Sequence, residues 1–154
     1  MSNDLMYLPI SIAYGDSIVI AGGSEEGIKK ARRLARLTHH VTYIAPNIPE
    51  ELTTLGIRLV ERDFLETDLK GVRLLFICTP SRQRNHDLKR LAAHHGIVTC
   101  VCDDPEYCDF ISPAILREGP ISISVGSDAT DVRRSIRIRN RIRQLVEQGL
   151  LDLS

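Results

Sequence analysis

Hydrophobic positions follow two rhythms along the chain. Short apolar runs recur as "SIVIA" (17–21), "HVTYIAP" (40–46), "RLLFICT" (73–79) and "GIVTCVC" (96–102), and "IRLVER" (57–62) alternates apolar with polar. Runs of this length, rich in β-branched residues, read as strands. "RLLFICT" is apolar almost throughout, the habit of a strand buried on both faces of a parallel sheet. Between the runs the spacing becomes helical. Ile28, Ala31, Leu34, Ala35 and Leu37 place a helix over 25–37. Leu88, Leu91, Ala92 and His95 lie on one side of a second helix, which Ser81 can cap. Strands alternating with helices predict a parallel sheet with right-handed crossovers.

After residue 105 the rhythm changes. "FISPAILREGPISISVGS" (110–127) predicts a hairpin turning at Glu118-Gly119. A last helix is predicted over about 129–148, with Val132, Ile136, Ile142, Leu145 and Val146 on its apolar side and Gly149 as its stop. The expected fold is therefore α/β: a Rossmann-like parallel sheet with a C-terminal β-hairpin and an arginine-rich helix. The expected division is a nucleotide-binding domain over 1–112 and a dimerisation and substrate segment over 113–154.

Composition narrows the function classes. The chain has 154 residues, 43% hydrophobic, with 20 basic and 20 acidic side chains. That is a globular composition with no net charge. Nothing global points to nucleic acid or to a membrane, so such a partner would have to rest on a local patch. No apolar run reaches the ~20 residues of a membrane span. The N-terminus "MSNDLMYLPI" lacks a basic-then-apolar signal pattern. A cytoplasmic protein is expected. The cysteines, Cys78, Cys100, Cys102 and Cys108, are poorly spaced for a disulfide framework and are expected reduced. As small buried sheet residues they need no metal, and no histidine pair suggests one, so no metal site is expected.

Two stretches carry candidate chemistry. "AGGSEEG" (21–27) follows the first strand and approximates the G-x-G-x-x-G turn of dinucleotide-binding units, with Gly22, Ser24 and Gly27 nearest to it. Gly22 and Gly23 permit a tight turn, and Gly27 lets the helix approach the sheet. Ser24 stands where backbone should approach a pyrophosphate, though its hydroxyl could donate to a phosphate. Glu25 and Glu26 suit the helix dipole but repel a phosphate unless they point away. No acid closes the second strand, where "IAPN" offers only Asn47. The turn alone fits either a cofactor site or an ordinary βα connection. The second stretch is "DDP" (103–105), at the carboxyl edge of the sheet where α/β folds bind ligands. If Asp103 and Asp104 face one cleft, mutual repulsion raises the pKa of one and suits it to act as a base. The alternative is an ordinary aspartate-proline turn.

Between Arg133 and Arg143 lie six arginines and no acid. Such a run fits a solvated helix face, a recognition surface for carboxylates through guanidinium forks, or a nucleic-acid contact. The neutral overall charge and the lack of an aromatic platform weigh against the last.

In order, the glycine turn followed by "KKAR", "VTYIAP", "RLLFICT…N" with Asn85, and above all "DDPEYCDFISPAI" followed by a hairpin resemble the precorrin-2 dehydrogenase family, the dehydrogenase–ferrochelatase module of sirohaem synthase. "YLPISI" ahead of the first strand fits the same order. The resemblance covers about residues 6–146. It implies NAD as cofactor, a tetrapyrrole (precorrin-2 or sirohydrochlorin) as partner, a homodimer, and oxidation of precorrin-2 to sirohydrochlorin. Some members also insert ferrous iron. By position it implies cofactor roles for Gly22, Gly23, Ser24, Gly27, Thr79, Pro80 and Asn85, and a catalytic role for Asp103. Asp104, Ser127, Arg133 and Arg137 become substrate-side candidates. The chain departs from the family at Ser24, at "TPSRQRN" after the fourth strand, and at "DATDV" after Ser127, where a glycine-rich turn becomes acidic. Family members usually continue beyond this point with further helices, so a short form is expected. The competing expectation is a Rossmann module that binds nucleotide or tetrapyrrole without turnover, or needs a partner to complete its site.

Overall fold

A computed structural model describes residues 17–154. "YLPISI" lies outside the described residues. The chain forms two compact units, one running to Phe110 and one from Ile111 to Ser154.

The first unit is the expected doubly wound sheet. Strands β1 (Ser17–Ala21), β2 (Val41–Ala45), β3 (Arg58–Glu61), β4 (Val72–Ile77) and β5 (Val98–Val101) are all parallel, in the order β3-β2-β1-β4-β5. Helix α1 (Glu25–Ala35) joins β1 to β2, and α2 (Arg82–His94) joins β4 to β5. The direction of winding reverses between β1 and β4, which opens a crevice at their carboxyl ends. Alternate residues of each strand feed the two faces. Ile18, Ile20, Tyr43 and Phe76 pack with Ala31 of α1 on one side, and Val19, Ala21, Leu75 and Ile77 with Leu88 and Ala92 of α2 on the other. Both layers are almost wholly withdrawn from water, the main stabilising term of such a core.

The cysteine expectation is corrected. Cys78 and Cys102 form a disulfide, with Cα atoms 5.3 Å apart. Because Ile77 pairs with Val101 across β4 and β5, the next residues emerge side by side at the sheet edge. Linear spacing could not show this, since the pairing depends on strand order. Cys100 and Cys108 remain thiols, with sulfurs 3.8 Å apart. Alkylation of the denatured, unreduced protein is expected to label only Cys100 and Cys108, whereas prior reduction exposes all four. Intact-mass spectrometry distinguishes the two patterns.

The second unit is a hairpin with one helix. β6 (Ala114–Glu118) and β7 (Ile121–Val125) are antiparallel, and Gly119 takes φ +53° in the turn between them. Helix α3 (Val132–Glu147) begins three residues later than the periodicity predicts. Asp128 and Ala129 hold φ of +49° and +60°, a left-handed conformation that no helix continues through. Asp131 instead caps the helix, accepting from the Arg134 amide at 2.8 Å. Gly149 ends it with φ +68°, its own amide bonded to Val146 O and that of Leu150 to Leu145 O. Arg139 donates to Ile115 O at 2.9 Å and ties α3 to the hairpin.

Candidate functional site

The glycine turn is shaped by a residue from the neighbouring strand. Tyr43 of β2 is fully buried, and its ring fills the space beside Gly22, where a Cβ would overlap it. The Gly22 amide extends the sheet by donating to Ile44 O at 2.8 Å. The Gly23 amide donates to the Tyr43 hydroxyl at 3.0 Å, and Gly23 takes φ +118°. Gly27 lets α1 lie against β4: a Cβ there would sit 3.2 Å from that of Cys78.

Ser24 caps α1. Its hydroxyl accepts from the Gly27 amide at 3.2 Å and donates its only proton to Cys78 O at 2.6 Å. The expectation that this hydroxyl donates to a phosphate therefore meets a committed donor. The amides that remain without a hydrogen bond among the described residues are those of Glu25 and Glu26, at the positive end of the α1 dipole. Their carboxylates turn back along the helix to Lys29 Nζ, each at 2.9 Å, which removes the anticipated repulsion.

Beside the turn lies a cleft of about 140 Å³. Gly22, Ile44 and Pro46 line it on the β1–β2 side, and Thr79, Pro80 and Ser81 on the β4 side. Asp63, Phe64 and Arg84 also line it. Thr79 and Asn85 form a closed clamp. Asn85 Oδ1 accepts from the Thr79 amide (3.1 Å) and hydroxyl (2.6 Å), and Asn85 Nδ2 donates to Thr79 O (3.1 Å). Asn85 is wholly buried, so it shapes the loop and presents nothing to a ligand. Pro80 Cδ would lie 3.3 Å from a Cβ on Gly23, so the two loops nearly touch. An open crevice at the strand ends, a turn with no side chains in the way and two unpaired helix amides fit a dinucleotide.

The two aspartates after β5 differ sharply. Asp103 is exposed and has no hydrogen bond or ion pair among the described residues. Asp104 turns inward and accepts from His86 Nε2 at 3.0 Å and Arg82 at 2.9 Å. The His86 ring stacks on Tyr107 with centroids 4.0 Å apart. The His86 hydrogen bond holds the Asp104 carboxyl below the ordinary carboxylate range against the burial that would raise it, and Arg82 adds to the lowering. The two carboxylates therefore do not share one environment, since Asp104 is buried and Asp103 exposed. Asp104 anchors the loop, which leaves Asp103 as the available carboxylate.

Asp109 is a second anchor. It accepts from the Thr99 amide (2.8 Å) and hydroxyl (2.9 Å) and pairs with Lys89 at 2.5 Å. Burial pushes its carboxyl up, but Lys89 and Thr99 outweigh this and leave it lowered. Depressed carboxylates stabilise the fold above their unfolded pKa, and that contribution fades as protons bind. The melting temperature is expected to fall as pH drops below about 4, where unfolded aspartates protonate first. Asp109→Asn is expected to flatten that profile, which calorimetry across pH 7 to about 3 measures.

Ser127, Arg133 and Arg137 belong to the hairpin–helix unit. Ser127 O accepts from the Thr130 hydroxyl at 2.5 Å and its own hydroxyl accepts from the Asp131 amide at 3.2 Å, which fixes the turn before α3. Arg133 and Arg137 are exposed. Sequence reasoning missed Tyr43, Arg82, Arg84 and His86. The only available signal was the four-residue spacing of Arg82 and His86, which puts both on one side of a helix.

The fold and crevice define a nucleotide-binding α/β protein. A family described as putative NAD(P)-binding matches residues 13–114, and the chain belongs to it. Similar curated proteins are siroheme synthases, which bears out the resemblance drawn from the motifs. That of Methylococcus capsulatus is 32% identical over 145 residues, covering 91% of this chain and 31% of its own length. That of Pseudomonas aeruginosa PAO1 is 34% identical over 131 residues, covering 81% and 28%. The chain thus spans about a third of the length of the curated relatives it matches. The solved structure of "SirC, precorrin-2 dehydrogenase" superposes with a TM-score of 0.73 at 17% identity, over 90% of this chain and 70% of that one, a likeness of fold.

Proposed function

We propose that this protein is an oxidoreductase of sirohaem synthesis that dehydrogenates precorrin-2 to sirohydrochlorin with NAD. The observation that carries the reading is Asp103, an exposed carboxylate at the carboxyl edge of a dinucleotide-type sheet, with no partner among the described residues. A bound nicotinamide dinucleotide supplies the hydride acceptor. Oxidation removes a hydride and a proton from the tetrapyrrole, and Asp103 takes the proton. The Glu25 and Glu26 amides would hold the pyrophosphate, and the Thr79–Asn85 clamp fixes the β4–α2 loop that lines the same cleft. Asp104 serves through its grip on the Asp103 loop.

Exposed arginines of α3, Arg133 and Arg137 among them, offer forks for the carboxylate arms of the substrate. Ile121, Val132 and Ile138 are exposed apolar residues in the same unit and supply the contact of a homodimer. No helix among the described residues is long and apolar enough to cross a membrane, and we place the activity in the cytoplasm. Insertion of ferrous iron into the product is the further step that the resemblance raises.

The test is titration with NAD⁺ followed by anaerobic addition of precorrin-2, with cofactor reduction read by absorbance and iron insertion by the sirohaem spectrum. Reduction of cofactor supports the reading; a folded protein that binds no dinucleotide overturns it. One observation favours a second reading, a binding module without turnover. The Gly23 amide and Ser24 hydroxyl are committed within the protein, to Tyr43 and Cys78. Dinucleotide or tetrapyrrole binding with no reduction would establish that reading.

A further inference from the structure

We infer that the cleft also accepts a dinucleotide carrying a 2′-phosphate, and that Arg84 is the group that takes it. This rests on the nicotinamide reading above and goes beyond it by setting the cofactor class.

In dinucleotide-binding sheets the adenosine ribose lies at the end of the second strand. A carboxylate there bonds the 2′-hydroxyl and repels a 2′-phosphate. Here β2 runs out through Ala45, Pro46 and Asn47, which carry no charge. Pro46 lines the same cleft as Arg84. The missing acid therefore coincides with a present cation.

Arg84 is positioned by its surroundings. Its amide is the donor that Ser81 caps at the start of α2, at 3.3 Å. One terminal nitrogen donates to Phe64 O at 2.9 Å, just past the end of β3, so the side chain joins the start of α2 to the β3 exit along the cleft that both residues line. That nitrogen also lies 4.0 Å from Asp63 Oδ1. The remaining guanidinium donors have no partner among the described residues. A fork with one arm anchored and one arm open suits a phosphate, which takes two parallel N–H bonds. Asp63 opposes this, but weakly: its side chain is 72% exposed and the separation exceeds hydrogen-bond length.

Calorimetric titration of the full chain with NAD⁺ and with NADP⁺ tests the inference. NADP⁺ is expected to bind within about threefold of NAD⁺, because no acid closes β2 and the exposed Asp63 opposes the extra phosphate only weakly beside Arg84. Arg84→Ala is expected to shift the ratio of the two dissociation constants by about tenfold against NADP⁺, the worth of one charge-assisted pair. Arg84→Lys restores part of that shift. Asp63→Asn moves the ratio the other way, by about twofold to threefold. If Arg84→Ala fails to fold, Arg84→Gln carries the test, since it keeps a donor for Phe64 O and loses the charge.

NADP⁺ binding at least about tenfold weaker than NAD⁺ in the unaltered protein overturns the inference and leaves the nicotinamide reading standing. An unchanged ratio in folded Arg84 variants does the same, and makes Arg84 a tie between α2 and the β3 exit. Binding of neither dinucleotide overturns the nicotinamide reading, and this inference with it.

Discussion

Asp103→Asn is expected to lower the rate of precorrin-2 dehydrogenation by about 10²–10⁴-fold, the range for loss of a positioned general base. Dinucleotide affinity is expected to change little, because Asp103 takes no part in the glycine turn or its cleft. Asparagine keeps the volume of the carboxylate and one acceptor oxygen, but it replaces the other oxygen with an NH2 donor and removes the charge and the capacity to take up a proton. Asp104→Asn gives the contrasting result. It weakens the bonds from Arg82 and His86 to a buried carboxylate and so lowers the melting temperature, with chemistry affected through the position of the loop. Single-turnover absorbance and thermal melts on both variants separate the roles. A full rate in Asp103→Asn would remove the base from the mechanism and favour the binding module.

The neighbouring aspartates show where sequence reasoning stops. In "DDP" the two acids are equivalent, and a shared cleft with mutual repulsion is a fair expectation. What separates them is the direction of the chain leaving β5 and the arrival of Arg82 and His86 on a helix from another part of the chain. Neither is local information. The disulfide between Cys78 and Cys102 has the same origin, since it exists because β4 and β5 are neighbours in register.

The fold was more legible than the site. Four strands of the sheet announced themselves as apolar runs and β3 by its alternation, and each helix by its spacing, because burial on one or two faces imposes those periods. The start of α3 was misplaced because Asp128 and Ala129 are ordinary residues in left-handed backbone, with no glycine to signal the break. The glycine turn was found from its motif. Its commitments to Tyr43 and Cys78 were hidden, since both partners come from other strands.

Those commitments lead to the second large effect. Gly22→Ala is expected to destabilise the protein by about 3 kcal/mol, at the upper end of overpacking costs in a rigid core. In a chain of this size that lowers the melting temperature by about 6–12 °C. The reason is steric and not conformational, because Gly22 is not among the positive-φ glycines. A Cβ would overlap the Tyr43 ring and lie 2.5 Å from its hydroxyl oxygen. The ring cannot retreat, being fully buried between β2 and α1, with its hydroxyl holding the Gly23 amide. Tyr43→Val is destabilising alone, through the cavity it leaves and the amide it orphans. Combined with Gly22→Ala it is expected to cost less than the sum of the two, with a coupling of about 1–3 kcal/mol, because the new methyl enters the space the ring vacates. Denaturant melts of the two single variants and the double variant give this number directly. Additive effects would mean that ring and glycine do not share one space, and that the turn is held in shape by Ser24 and Cys78 alone.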